Sequence, residues 1–333
     1  MKDLSDYKHF VGCDVSKDTL DFALHERQKN YKAFEHIQVT NNLDGFRAMR
    51  KWLKSLKVDI KCVVIGMEHT GLYSEALAEW CFKQNVTFVM LHAAEVKKAN
   101  TRGRNKTDRE DAQFIADYVY TQREKLTASA PAPPVIKELR KLLAERKLAV
   151  NSRTAYKNQI KGIDDKKAVR RMEKMISAFD EQVRLIEKKI MELVRSDESI
   201  SKNYDLLESI PGLGIVNITA TIVATSNFTR FQTSRQYAKF ICVSPVSHES
   251  GSSIRGGNHV VKAGHTGLKA NLTQAAKTAV RADVQLRLYF ERKLNQGKTY
   301  GCVMNAIKFK LVCRMFAVIS RQTPYVDLQK YRG

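Results

Sequence analysis

Absences narrow the class of this 333-residue chain before any motif is considered. Its six cysteines, Cys13, Cys62, Cys81, Cys242, Cys302 and Cys313, include no CxxC pair. Most lie in apolar runs, which points to reduced, buried thiols and argues against zinc and against a secreted disulfide scaffold. No apolar run is long enough to span a bilayer and no signal-peptide pattern opens the chain, so a cytoplasmic protein with no membrane partner is expected. Aromatic residues are spread out, leaving no base-stacking platform that can be read from sequence. Proline is scarce, and three of the six fall in Thr127–Pro134. Acid is scarce towards the C-terminus: residues 251–333 hold 15 Lys or Arg against 3 Asp or Glu.

The whole chain carries +22 at pH 7. A small-metabolite enzyme gains nothing from such an excess, whereas a polyanion partner does, because Lys and Arg at phosphates release condensed counterions. Nucleic acid is the leading partner. The uneven charge suggests one part for acid or metal chemistry and another for gripping phosphate. A hydrophobic fraction of 43% supports real cores, and the length allows two or three domains.

His9 to Val15 is β-prone, Leu20 to Leu24 alternates through Asp21 and Ala23, and a third strand is expected near Tyr31–Val39. Asn42 can cap a helix that places Phe46, Met49, Trp52, Leu53 and Leu56 on one face. Cys62–Met67 and Val86–Leu91 read as buried strands, Ser74–Gln84 and Asp108–Thr121 as helices. This pattern predicts a mixed α/β sheet with helices packed on it. The proline cluster reads as an exposed linker at a domain boundary. From Val135 to about Val194 the chain is helical and charged. Val169, Met172, Ile176, Phe179, Val183, Ile186, Ile190 and Leu193 alternate spacings of three and four, as a coiled-coil seam does. A weaker seam before it is interrupted by Arg146 and Arg153, with a turn expected at Gly162 to Asp165. An intrachain hairpin and a seam pairing two protomers both fit, and a hairpin that contributes to dimerisation is the favoured reading. Beyond Leu206 the chain reads as mostly helical. Ile210-Pro-Gly-Leu-Gly-Ile215 has the form of a helix-hairpin-helix turn whose glycines admit a phosphate, or of a plain turn in a helical core.

The acidic candidates sit where carboxylates are costly. Asp14 lies inside the first strand, and Glu68 ends the run Cys62–Met67. Neighbouring strands would bring the two to one end of a sheet. Asp108 and Asp111, three apart, share one helix face about a turn apart. Four such carboxylates make a hard-oxygen site for Mg²⁺. Singly, Asp108 can be a helix cap and Asp14 a turn cap. Arg102, Arg104, Lys106, Arg255, Lys262, Lys269 and Lys277 are candidate phosphate contacts, with a solvated basic face as the alternative for each.

The order Asp14, Glu68, Asp108, Asp111 resembles the DEDD, RuvC-like transposases of the insertion sequence 110 family. The surrounding blocks carry the likeness: Gly12-Cys-Asp14, Glu68-His-Thr-Gly71, Asn105-Lys-Thr-Asp-Arg-Glu-Asp111, Leu207 to Gly214, Glu249 to Gly256 and Lys262-Ala-Gly-His265. The resemblance spans essentially the whole chain, and its specificity lies in the blocks occurring together and in order. It implies an RNase H-like (RuvC-like) domain at 1–127, a linker at 128–134, a coiled-coil region at 135–200 and a mostly helical, basic transposase domain at 201–333. It also implies Mg²⁺ on the four carboxylates and Ser250 as a nucleophile that forms a phosphoserine with DNA, with strands exchanged through a Holliday junction. Donor and target DNA, a noncoding bridge RNA and a homo-oligomer, dimer or tetramer, are the implied partners. The implied setting is a bacterial cytoplasm, at the nucleoid when acting.

The local residues support Ser250 only in part. A serine hydroxyl needs a base or a metal to become a nucleophile, and nothing in the sequence orients His248 for that task. Metal activation is the better account, with Arg255 available for developing phosphate charge. On sequence alone Ser252 and Ser253 are equal rivals. Two other functions remain in play: a resolvase-type nuclease that activates water with no covalent intermediate, and a non-enzymatic nucleic-acid scaffold.

Overall fold

The computed structural model describes residues 3–26, 34–68, 72–91, 96, 99, 107–244, 246–250, 254–259 and 266–327. The chain divides into two compact units, Met1–Pro131 and Ala132–Gly333. No helix among the described residues is long and apolar enough to cross a membrane.

The first unit is built on a five-stranded sheet in the order β3-β2-β1-β4-β5. Its strands are β1 (His9–Val15), β2 (Thr19–Glu26), β3 (Glu35–Thr40), β4 (Val63–Glu68) and β5 (Thr87–Leu91). β2 runs antiparallel to both neighbours, while β1, β4 and β5 are mutually parallel. Residues alternate across a strand, so β1 serves two cores. Val11, Cys13 and Val15 join the cluster that holds Phe46, Met49 and Leu53 of α1 (Leu43–Ser55) and Leu77 and Cys81 of α2 (Leu72–Lys83). Phe10 faces the other way, into a cluster with Ile115 and Val119 of α3 (Asp108–Gln122). Each of these fully buried side chains stabilises the fold by about 1.5–3 kcal/mol relative to exposure. Asn42 caps α1 as its sequence position suggests, accepting hydrogen bonds from the amides of Asp44 and Gly45 at 3.1 and 3.0 Å.

Gly12 and Gly66 are register partners on β1 and β4. A Cβ on Gly12 would lie 2.0 Å from the Ala112 carbonyl oxygen and 2.3 Å from the Ala116 amide of α3. A Cβ on Gly66 would lie 2.3 Å from Val119 Cγ2. The paired glycines therefore form the trough into which α3 settles.

The stretch expected to be an exposed linker is partly held down. The Ser129 amide donates to the Phe88 carbonyl at 2.8 Å, and Ser129 Oγ accepts from the Met90 amide at 2.9 Å. Leu126 and Ala128 pack on the α3 side of the sheet. An edge strand with unpaired amides recruits such a segment, which proline counts do not reveal.

In the second unit α4 (Pro134–Gln159) and α5 (Lys166–Arg195) form an antiparallel hairpin. Arg146, which broke the apolar seam in the sequence, pairs with Glu187 at 2.6 Å, and Arg153 pairs with Asp180. The rings of Tyr156 and Phe179 meet at 5.8 Å. Val183, Ile186 and Ile190 are buried, whereas Val169, Met172, Ile176 and Phe179 towards the turn are half-buried. At the base the seam passes to Val194, which is buried, while Leu193 is only half-buried. That shift follows from the 3.6-residue helical repeat drifting against a strict heptad.

The base of the hairpin shares one core with α6 (Glu198–Glu208), α7 (Ile215–Thr225), α8 (Ser234–Phe240), α9 (Thr266–Ala282), α10 (Val284–Asn295) and α11 (Tyr300–Arg321). Gly212, in the turn between α6 and α7, adopts φ +92°. A Cβ there would meet the Ala279 amide of α9 at 2.6 Å, so this glycine serves the close packing of the turn on α9. A hairpin of β6 (Val246–Ser250) and β7 (Ile254–His259) interrupts the helices. Its Gly- and Ser-rich composition reads as loop, which is why sequence reading missed it.

Asp283 organises the α9–α10 corner. It is fully buried, accepts from the Leu286 amide at 2.8 Å as the α10 cap, and binds Arg314 at 2.6 Å and the Tyr325 hydroxyl at 3.2 Å. Asp283→Asn keeps the cap and removes the charge, leaving Arg314 without its carboxylate partner. A loss of about 2 kcal/mol is expected, with the helix content of the folded protein unchanged. Chemical denaturation followed by circular dichroism measures it, and a midpoint equal to wild type would refute the role.

Candidate active site and family

Asp14 sits on β1 two residues beyond Gly12, on the same face, and so towards α3. Glu68 is the last residue of β4, one register step past the Cys13–Met67 pair. The two acids therefore stand level at the C-terminal ends of adjacent parallel strands. Asp108 and Asp111 occupy the first turn of α3. Thr107 is the helix cap, accepting from the Glu110 amide at 3.3 Å, so Asp108 is not used up in capping. Carboxylates in a first turn are favoured by the helix dipole, which lets the sequence tolerate several together.

The four acids feel one another. The Asp14 carboxyl is pushed up from 3.8 to about 6, first by burial and then by the negative charges of Asp108, Asp111, Glu68 and Asp21. Asp21 is a residue that sequence reasoning did not select. It is the β2 register partner of Asp14, is buried, and accepts from His36 Nε2 at 2.8 Å and Gln38 Nε2 at 3.0 Å. Its alternation with Ala23 was visible, but its partners lie on β3 and depend on register.

Among the described residues no three His, Cys, Asp or Glu side chains converge closely enough to hold one ion. The chemistry of the acids nevertheless fits a divalent cation: the donors are all hard carboxylate oxygens, and their mutual repulsion is what a cation would relieve. Cys13, the nearest thiol in sequence, is buried in the opposite core.

Ser250 closes β6, paired with Ile254 of β7, and Arg255 pairs with Glu249. Ser250 is thus a strand-end residue and not part of a free loop. The side chains of Ser250 and Arg255, with the rivals Ser252 and Ser253, lie outside the described residues, as do Arg102, Arg104, Lys106 and Lys262. Lys269 and Lys277 project from α9. The thiols expected to be buried divide: Cys13, Cys81 and Cys242 are, but Cys62 and Cys302 are exposed.

Residues 11–163 match a family model described as a DEDD-type transposase, and residues 204–291 match the Transposase IS116/IS110/IS902 family. The chain is 26% identical to the pilin gene-inverting protein of Moraxella bovis over 96% of its own length and 98% of that protein. It is 25% identical to the transposase for insertion sequence element IS1111A of Coxiella burnetii, over 66% of this chain and 68% of the relative. A 27% identity to an insertion element IS110 protein of Streptomyces coelicolor covers 45% of this chain and 36% of that one. With both family models falling in order along the chain and a relative aligned from end to end, this protein belongs to the insertion sequence 110 family of transposases, enzymes that recombine DNA.

Proposed function

We propose that this protein is a Mg²⁺-dependent DNA strand-exchange enzyme in which Ser250 becomes joined to DNA and a bridge RNA selects the sites. The observation that carries the reading is the acid cluster. Asp14, Glu68, Asp108 and Asp111 come from two parallel strand ends and one helix start, and burial first, then the charges of the other three, raise the Asp14 carboxyl. The strand order β3-β2-β1-β4-β5, with β2 the antiparallel member, supports an RNase H-like (RuvC-like) reading of residues 1–127. The α4–α5 hairpin supports a coiled-coil reading of 135–200, leaving 201–333 as the transposase domain.

When bound, Mg²⁺ would supply Lewis-acid polarisation of the phosphate and a lowered pKa for an oxygen nucleophile. The protein's own residues do the rest. Asp14 and Glu68, on rigid strand ends, and Asp108 and Asp111, on the first turn of a packed helix, are the carboxylates that would hold the ion once they draw together around it. Ser250 Oγ forms a new bond to phosphorus, its proton is given up, and the deoxyribose oxygen leaves and takes a proton. The phosphodiester's bond energy is retained in the phosphoserine, so a second deoxyribose hydroxyl can displace the serine without an external energy source. The half-buried outer part of the hairpin, Val169 to Phe179, supports a homo-oligomer of two or four chains.

The test is a denaturing gel of protein incubated with Mg²⁺ and DNA carrying the element's ends and its flanks, together with sequencing of RNA that co-purifies with the protein. A DNA-linked band is expected for wild type and absent for Ser250→Ala, while Ser252→Ala and Ser253→Ala retain it. Strand cleavage that persists in Ser250→Ala with no linked band would move the reading to a nuclease using activated water.

A further inference from the structure

The second unit contains a groove of about 1290 Å³ along α9, α10 and α11, remote in sequence from the acid cluster. Among the described residues its lining includes Lys269, Arg292, Lys308, Lys310 and Arg314 and no Asp or Glu. Its floor is apolar, with Leu288, Tyr289 and Phe309, and Leu288 is 52% exposed. Arg314 is committed to Asp283, but the other four cations have no carboxylate partner among the described residues.

Lys308 is the informative member. It is only 7% exposed, and among the described residues Nζ donates one hydrogen bond, to Thr273 Oγ1 at 3.3 Å. Burial and the neighbouring Lys269 charge both push its pKa down. A buried ammonium beside a second cation is costly unless an anion arrives to pair with it. Beside it, the Tyr289 ring is flanked by Lys310 at 4.5 Å and Arg292 at 5.7 Å.

We propose that this groove seats a single-stranded nucleic-acid segment, with Lys308 and Lys269 gripping a phosphate and an unstacked base lying against Leu288, Tyr289 and Phe309. The inference rests on the nucleic-acid chemistry given above and adds where an unpaired strand is held. A duplex is the poorer occupant: it offers phosphates on its outside and keeps its base faces stacked, so the apolar floor would stay wet. A single strand offers a phosphate and a bare π-face together.

Full-length protein is titrated into fluorescent oligonucleotides of about 12 nucleotides, RNA and DNA, and into a duplex of the same sequence. Lys308→Met, which keeps the aliphatic stem, and Tyr289→Ala are each expected to weaken single-strand binding about tenfold and duplex binding less than about twofold. Lys308→Arg retains most of the affinity. Lys189→Gln, an exposed α5 lysine outside the groove, loses the same charge and changes either affinity by less than about twofold. On wild-type protein, an oligonucleotide carrying a photoactivatable thiouridine is expected to cross-link within residues 284–310. Losses no larger than the Lys189→Gln control, equal losses on single strand and duplex, or cross-links confined to other segments each overturn the proposal. If such a result comes with an intact Ser250-dependent adduct, the groove assignment fails and the strand-exchange reading stands. Groove-dependent binding without an adduct gives the converse.

Discussion

Asp14→Asn is expected to lower DNA strand cleavage by about a thousandfold and, in metal-free buffer, to make the protein more stable. Both effects have one origin. The folded protein holds the Asp14 carboxyl at about 6 against an ordinary 3.8, so folding works against its ionisation. Between about pH 4 and pH 6 the unfolded chain ionises this group while the folded protein keeps it protonated. The folded state then binds more protons, and stability falls as pH rises through that window and levels off above it. Asparagine has no such penalty. Its advantage is absent below about pH 4, grows to about pH 6, and amounts at pH 7 to about 1–2 kcal/mol once solvent screening is allowed for. The thermal midpoint should rise by about 2–8 °C on that basis. Added Mg²⁺ should narrow or reverse the ranking, since a ligand stabilises the form that binds it. Thermal melts at pH 4 and pH 7, with and without Mg²⁺, beside a cleavage assay, test the pair of effects. A variant that cleaves at the wild-type rate, or melts below wild type at pH 7 without metal, would remove the acid cluster from the chemistry.

Gly12→Ala is expected to destabilise the first unit by about 4 kcal/mol, at the top of the range for overpacking. The added methyl would meet backbone atoms of α3 at 2.0 and 2.3 Å, and backbone cannot rotate away as a side chain can. Either the helix lifts from the sheet or the strand bends. Because α3 carries Asp108 and Asp111 and β1 carries Asp14, any protein that still folds should also lose cleavage. Gly66→Ala is the matched control. It meets only the Val119 side chain at 2.3 Å and should cost about 1–2 kcal/mol with much of the cleavage retained. Equal costs at the two positions, measured by denaturant midpoints, would refute the view that Gly12 sets the helix-to-strand approach.

Local signals in the sequence carried the reading a long way. Continuous apolar runs marked β4 and β5, the Asn42 cap marked the start of α1, and the three-residue spacing of Asp108 and Asp111 placed both on the first turn of α3. Hidden features depend on what lies opposite in space. Asp21 becomes a buried, hydrogen-bonded acid only because β3 brings His36 and Gln38 alongside it. Arg146 and Arg153 look like flaws in an apolar seam until the hairpin folds back and presents Glu187 and Asp180. Gly12 and Gly66 read as ordinary strand glycines until register pairs them beneath one helix. The β6–β7 hairpin escaped notice because its composition favours turns while its pairing depends on cross-strand partners.

The clasp that Ser129 makes on β5 has a consequence wherever identical molecules meet at high concentration. A bare strand margin is a template for any other chain with extended backbone, and crowding of identical molecules makes such mispairing a route to precipitation. By engaging the Phe88 carbonyl and the Met90 amide, one serine occupies that margin with the molecule's own chain. Copies of the first unit are thereby discouraged from zipping together along β5.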